Sequence, residues 1–262
     1  MHEILIISGK GGTGNTSLTG AFALLAVRAI ICELAVDAPD LHILLDPRPR
    51  RTVEFRSGCE ARILPENCTA CGDCLRRCQF GAILETDQGF RVDPLRCEGC
   101  SVCVHFCPAD AIAFDEKLCG EWYRSETDLG PMLHAQLGPG EENSGRLVTL
   151  LRKEAKQLAA ERQFDLILSD GPPGIGCPVI SSLAQVSLAV IVTEPTPSGQ
   201  HDLERVADLC RHFKVPAGIV VNKWDLNPDL TATIESLAPR QDLQLFGRVD
   251  FDPAFTDAMV QR

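Results

Sequence analysis

Ile4-Leu5-Ile6-Ile7-Ser8-Gly9-Lys10-Gly11-Gly12-Thr13-Gly14-Asn15-Thr16-Ser17 is the stretch that decides the fold of this chain. Its first four residues are wholly apolar and mostly β-branched, as expected for a short strand buried on both faces of a parallel sheet. Glycines crowd the next positions, and an alanine- and leucine-rich helical run then extends to Arg28. A strand feeding a glycine loop that opens a helix is the context that makes a phosphate-binding loop credible. The glycines let consecutive backbone N–H groups wrap phosphate oxygens, and the helix N-terminus adds its dipole.

A second stretch organises the middle of the chain. It reads C-x2-C-x2-C-x3-C at Cys68, Cys71, Cys74 and Cys78, and the spacing repeats at Cys97, Cys100, Cys103 and Cys107. Each member of the second run lies 29 residues after its counterpart, and Ala82-Ile83 returns at the same offset as Ala111-Ile112. This is an internal duplication. It resembles a bacterial-type ferredoxin with two 4Fe-4S clusters, an arrangement in which the fourth cysteine of each run ligates the other cluster. The resemblance implies that Cys68, Cys71, Cys74 and Cys107 hold one cluster, and Cys97, Cys100, Cys103 and Cys78 the other. Pro108 follows the second run as that motif expects, whereas Gln79 stands after the first. Two structural zinc sites, or disulfides, are the alternative uses of eight cysteines; zinc sites more often pair C-x2-C knuckles.

With both stretches in view, the chain resembles a known family over essentially its whole length. Gly9-Lys10-Gly11-Gly12-Thr13-Gly14 is similar to the deviant Walker A motif of the MinD/Mrp-type P-loop ATPases, a subgroup of which carries an inserted ferredoxin domain. The resemblance implies ATP or ADP with Mg2+ on Gly9 to Ser17. Lys10 is then the signature lysine, reaching across a dimer to the partner's nucleotide, and Thr16 the hydroxyl that holds magnesium. Asp170-Gly171-Pro172-Pro173-Gly174 matches Walker B and switch II, with Asp170 acting on the magnesium. Asn222-Lys223-Trp224-Asp225 resembles a base-recognition motif, with Asn222 as the adenine contact.

Two positions depart from that pattern. The family's second lysine, which places a cation on the β- and γ-phosphates, is Asn15 here. Losing one charge-assisted contact costs about 1.5–3 kcal/mol, roughly ten- to a hundredfold in affinity. The family's Asp-x-Asp, whose second aspartate orients the attacking water, is Glu33-Leu34-Ala35. Asp37 stands two residues on, on a strand-to-loop path that is not expected to bring it to the site. Together Asn15 and Ala35 predict impaired hydrolysis.

Composition sets the remaining bounds. A net charge of −11 argues against a nucleic-acid surface, which needs a basic stripe. Met1-His2-Glu3 starts without a basic n-region, and no apolar run has the length of a membrane span, so neither a signal peptide nor a membrane anchor is expected. The C-terminal tail lacks a basic amphipathic helix. Thirteen cysteines suit a reducing cytoplasm when eight of them stand at cluster spacing.

Alternating apolar strands and helices predict an α/β fold. The expected architecture is a mostly parallel-sheet P-loop NTPase domain over 1–61 and 117–262, with a small α+β ferredoxin domain inserted at 62–116. Arg48 to Arg51 reads as a solvated loop approaching the insert. Trp122 and Tyr123 read as packing residues of a returning strand, and Asn143 or Ser144 as the cap of a helix to Arg162. Cys177 is expected as a small buried residue at a helix start. Cys32, Cys59, Cys119 and Cys210 have no partner spacing. His105 reads as solvent-facing or packing; His2, His42, His134, His201 and His212 form no constellation. The functions this suggests are a nucleotide-dependent redox carrier, an iron–sulfur scaffold of the Mrp sort, or a pseudo-ATPase subunit. Its partners would be a redox protein and a second chain, in a homodimer or in a heterodimer with a related, intact ATPase.

Overall fold

The computed structural model describes residues 1–87, 89–141 and 144–260, without the side chains of residues 256, 259 and 260. The chain divides into two compact units. The first comprises Met1–Val53, Glu121–Leu137 and Ser144–Arg262, and the second Glu54–Gly120 with Gly138–Asn143.

The chain begins with β1 (His2–Ile7), α1 (Asn15–Leu25), β2 (Ile30–Glu33) and α2 (Leu41–Leu45). The long β3 (Arg48–Ile63) enters the second unit, which holds α3 (Asp73–Arg77), the hairpin β4 (Ile83–Thr86) and β5 (Gly89–Val92), and α4 (Val102–His105). The equally long β6 (Ile112–Thr127) returns, followed by β7 (Gly130–Leu137), α5 (Ser144–Arg162), β8 (Leu166–Asp170) and α6 (Cys177–Leu183). The chain ends with β9 (Leu188–Thr193), α7 (Pro197–His212), β10 (Ala217–Asn222), α8 (Pro228–Leu237), β11 (Gln244–Val249) and α9 (Ala254–Val260).

Nine strands form one sheet in the order β11-β10-β9-β1-β8-β2-β7-β6-β3. The pairings from β11 through β7 are all parallel. Leu5, Ile6 and Ile7 are fully buried, as their uninterrupted apolar run predicts for a central parallel strand. On one face Leu18 and Phe22 of α1 pack on Ile6, Val190, Val192 and Val220. Ala23 of the same helix packs with Ile31, Leu41, Met132 and Leu168. This seating fixes where α1 begins, and with it the path of the glycine loop.

At the far end of the sheet, Arg152 of α5 makes a two-pronged bond to Glu3 of β1 at 2.8 and 2.7 Å. Ser169 Oγ also donates to Glu3, and Arg152 donates to the Ser181 carbonyl of α6. A buried pair with every group engaged is one whose disruption is costly. It ties the helix that follows Asp170 to the strand that precedes the glycine loop.

Several local expectations change. Arg48 to Arg51 is not a loop but the start of β3, an outer strand of the sheet whose exposed residues include these arginines. Charge on an outer strand discourages pairing with another chain. α1 stops at Leu25 rather than Arg28, closed by the Ala26 N–H on the Phe22 carbonyl. Cys177 does open α6, but it is exposed. Trp122 is buried on β6, as expected for a packing residue. Asn143 lies outside the described residues, and Ser144 is the first residue of α5.

Candidate functional site

The glycine loop runs from Ser8 to Gly14 and closes on itself through side chains. Ser8 Oγ donates to the Lys10 carbonyl at 2.7 Å, and Asn15 Nδ2 donates to Ser8 Oγ at 2.9 Å. Asn15 thus spans the loop from helix start to loop entry. Gly14, at φ +99°, is in a conformation L side chains rarely adopt, and a Cβ there would lie 2.4 Å from Asn222 Nδ2. That close approach is used: Asn222 Nδ2 donates to the Thr13 carbonyl at 2.7 Å, and Lys223 Nζ donates to the Gly12 carbonyl at 3.0 Å. The end of β10 therefore holds the loop from outside.

Thr16 Oγ1 donates to Asp170 at 2.9 Å, and Thr19 Oγ1, one turn further along α1, donates to its other oxygen at 3.0 Å. Burial pushes the Asp170 carboxyl up to about 6 against these two hydrogen bonds. A cation beside it would reverse that effect. Thr16 and Asp170, predicted to share a magnesium, are therefore brought together; Thr19 was not anticipated.

Lys10 turns back onto its own chain. Its ammonium lies 2.6 Å from Glu194, 3.2 Å from Thr196 Oγ1 and 3.0 Å from Ser198 Oγ. Lys223 takes the other oxygen of Glu194 at 3.1 Å. Burial would raise the Glu194 carboxyl, but the bonds to both lysines outweigh it and hold it below the ordinary range. Neither Glu194 nor Lys223 has a role assigned from sequence, although Lys223 stands within the Asn222-Lys223-Trp224-Asp225 stretch.

At the predicted Asp-x-Asp, Glu33 is fully buried and accepts the Leu41 N–H, capping α2. Burial pushes its carboxyl up to about 8. Its second oxygen faces His42 Nδ1 at 3.5 Å, and among the described residues neither atom has a hydrogen-bond partner. Ala35 is half-buried beyond the end of β2, and Asp37 is exposed in the turn that follows. Contrary to the expectation that His42 and His134 belong to no constellation, their rings stack at 6.0 Å, and Tyr123 stacks on His134 at 4.8 Å. Ser125 Oγ binds His134 Nε2 at 2.9 Å, and burial, with His42 beside it, holds His134 down to about 4. Sequence spacing could not reveal this group because β2, α2, β6 and β7 supply it separately.

In the second unit the eight cysteines sort into two cavities. Cys68, Cys71, Cys74 and Cys107 line one, and Cys78, Cys97, Cys100 and Cys103 the other. Each cavity thus takes three thiols from one run and one from the other, the crossed partition the ferredoxin resemblance implied. The duplication extends to hydrogen bonding: the Ala82 N–H points at Cys78 Sγ and the Ala111 N–H at Cys107 Sγ, both at 3.3 Å. Ala61, Ile63, Ile83 and Ile112 form the apolar core behind the thiols. Burial, with neighbouring thiols adding to it, raises the Cys74 and Cys103 thiols. Four soft donors around an apolar cavity, with amide N–H groups aimed at sulfur, suit an iron–sulfur cluster.

Comparison with known proteins places both units. A family model for the 4Fe-4S binding domain matches residues 90–113. MJ0578, an uncharacterized protein of Methanocaldococcus jannaschii, is 35% identical over 232 residues, covering 86% of this chain and 79% of that protein. The chain belongs to the same family as MJ0578. A second protein of that organism, MJ0579, is 25% identical over 243 residues, covering 87% of this chain and 83% of its own. Among solved structures, the cell division ATPase MinD of Pyrococcus furiosus superposes with a TM-score of 0.56 over 99% of this chain and 87% of that one, at 17% identity. The family member described here is thus a MinD-like P-loop ATPase fold with a 4Fe-4S ferredoxin domain, as the sequence resemblance implied.

Proposed function

We propose that this chain is a nucleotide-dependent iron–sulfur electron carrier with two 4Fe-4S clusters, one per cavity, whose own ATP hydrolysis is impaired. The observation that carries the proposal is the crossed set of eight thiols on the same chain as a glycine loop whose Thr16 and Asp170 stand ready for magnesium. Full ligation by four protein thiolates favours passing electrons over handing a cluster on, because transfer of the cluster needs a ligand to leave.

In this reading Gly9, Lys10, Gly11, Gly12, Thr13, Gly14, Asn15, Thr16 and Ser17 bind the phosphates, Asn222 the base, and Thr16 with Asp170 the magnesium. Asn15 brings no charge to the β- and γ-phosphates, and Ala35 cannot hold an attacking water. Both terms matter in phosphoryl transfer, where catalysis is mostly positioning and electrostatics. The test is anaerobic electron transfer from the reduced holoprotein to a one-electron viologen acceptor, compared with MgATP and with MgADP. The expected result is a nucleotide-dependent rate; equal rates with both nucleotides at saturation would contradict it.

A partner-subunit role is compatible with this function and rests on Lys10. That lysine is retained although the groups around it are altered, and it contacts Glu194 rather than the loop interior. The occurrence of two relatives in one organism supports pairing between unlike chains. In a mixture with an intact relative, Lys10 is expected to supply its charge in trans. Lys10→Ala should then abolish stimulation of the relative's ATPase while the iron content stays unchanged; equal stimulation by both forms would remove this role.

A further inference from the structure

The cysteine runs are one motif written twice, so each residue near the first cavity has a counterpart 29 positions on. The thiols are conserved between the copies, but several charged positions are not: Arg77 corresponds to Phe106, and Glu98 of the second run to Thr69 of the first. Asp73 corresponds to Val102, and Arg76 to His105. Asp73 lines the first cavity, and Val102 together with Glu98 lines the second.

Asp73 Oδ2 lies 4.0 Å from Cys71 Sγ. Once that sulfur is a cluster thiolate, the two groups are anions side by side. Arg76 stands over them: one guanidinium nitrogen is 2.5 Å from Asp73 Oδ1, and the other donates to the Cys71 carbonyl at 3.2 Å. Gly72 makes room for it, since a Cβ there would lie 3.0 Å from Arg76 Nη1. The second copy has Ser101 in place of that glycine, and its His105 ring meets Phe106 edge-on at 5.0 Å. As a contribution to stability, an exposed ion pair three residues apart on a short helix is worth little. Its effect on a redox centre is a separate matter. Taking up one electron adds a negative charge to a cluster that is already anionic, and the potential follows local charge and solvent exposure.

We propose that Asp73 and Arg76 poise the first cluster, the carboxylate opposing reduction and the guanidinium offsetting it, while the second cluster has apolar Val102 at the matching place and the Glu98 carboxylate where the first has Thr69. The two clusters then differ in potential, and the charged pair allows one to be shifted without the other. Electrons settle on the cluster of higher potential, so the pair helps to decide which of the two holds the first electron. The inference rests on the two-cluster reading above.

The test is an EPR-monitored redox titration of the anaerobic holoprotein with dithionite and mediators, with iron counted on the same samples. Arg76→Gln should lower the midpoint of one transition, Asp73→Val should raise the same one, and Arg76→Lys should keep it near wild type. Val102→Asp, the reciprocal change, should lower the other transition alone. Added salt should shrink these shifts, because the pair is solvent-exposed. Variants that lose iron without moving either midpoint would show a purely structural pair and overturn the proposal. So would midpoints that stay fixed, or that move together, in fully loaded variants. A wild type carrying fewer irons than two clusters require would instead defeat the two-cluster reading, an outcome the iron count separates from the others.

Discussion

The two sites of this chain differ in how closely they follow the motifs they resemble. In the second unit all eight thiol positions of the duplicated motif are cysteine, and they sort four and four around two cavities. In the first unit the loop has its glycines, with Thr16 and Asp170 beside it, but Asn15 and Ala35 stand where the motifs it resembles have lysine and aspartate. The difference follows from where each site keeps its chemistry. A cluster is held by side chains, and one missing thiolate opens it. A phosphate is held largely by backbone N–H groups, so a loop can lose a cation and still wrap an anion. Asn15 illustrates this, since it braces the loop through Ser8 Oγ. Binding and catalysis can therefore come apart in the first unit, whereas ligation and function cannot in the second.

The largest effect should come from breaking the intact side. Cys107 is the single thiol lent by the second run to the first cavity. Cys107→Ala should cost the first cluster outright, cutting iron and acid-labile sulfide by about half. Retention of full iron by the variant would show that the crossed partition is wrong. Repairing the altered side comes next. Asn15→Lys with Ala35→Asp should raise ATP turnover well above either single change, each charge-assisted contact being worth roughly ten- to a hundredfold. If the unmodified chain already turns ATP over as fast as the repaired one, these two positions do not limit it.

A smaller effect distinguishes the units by pH. Burial lifts Glu33 from an ordinary 4.5 to about 8, so at neutral pH the folded chain keeps a proton that the unfolded chain has released. Stability should therefore fall as pH rises toward 8, by at most about 1.4 kcal/mol per pH unit from this group. Asp170, lifted to about 6, acts in the same direction but only below that pH. His134, lowered from 6.5 to about 4, acts in the opposite direction and only between those values. Denaturant melts between about pH 7 and 8 thus separate Glu33 from Asp170 and His134, and Glu33→Gln should flatten the slope there. An unchanged slope in the variant would assign it elsewhere.

The smallest effect is at Thr196, which caps α7 by accepting the Gly199 N–H at 3.0 Å and also meets Lys10. Thr196→Ala should cost about 1 kcal/mol of stability in a melt of the holoprotein. It should leave the iron content untouched; loss of iron would mean that the units are less separable than their sites suggest.

The motifs were legible because their chemistry is local in sequence. Three thiols of each cavity come from one tight run, and the glycine loop joins adjacent elements, so spacing alone exposed both. The strand run Ile4 to Ile7 was legible for a similar reason, being apolar throughout and leading straight into the glycines. What escaped was assembled from a distance. The stack of His42, His134 and Tyr123 comes from separate elements, and no spacing rule joins them. Glu194 and Lys223 were visible as residues, but only the fold brings both to one carboxylate beside Lys10. Arg48 to Arg51 misled because proline and arginine suggest a loop, yet an outer strand tolerates both, with one edge free of pairing.

The central claim, two clusters on a nucleotide-binding scaffold, is tested most directly by metal and sulfide analysis of anaerobically purified protein with EPR on the dithionite-reduced sample. The account predicts about eight irons and eight sulfides per chain and two reducible low-potential signals. Stoichiometric zinc with no reducible cluster signal would contradict it.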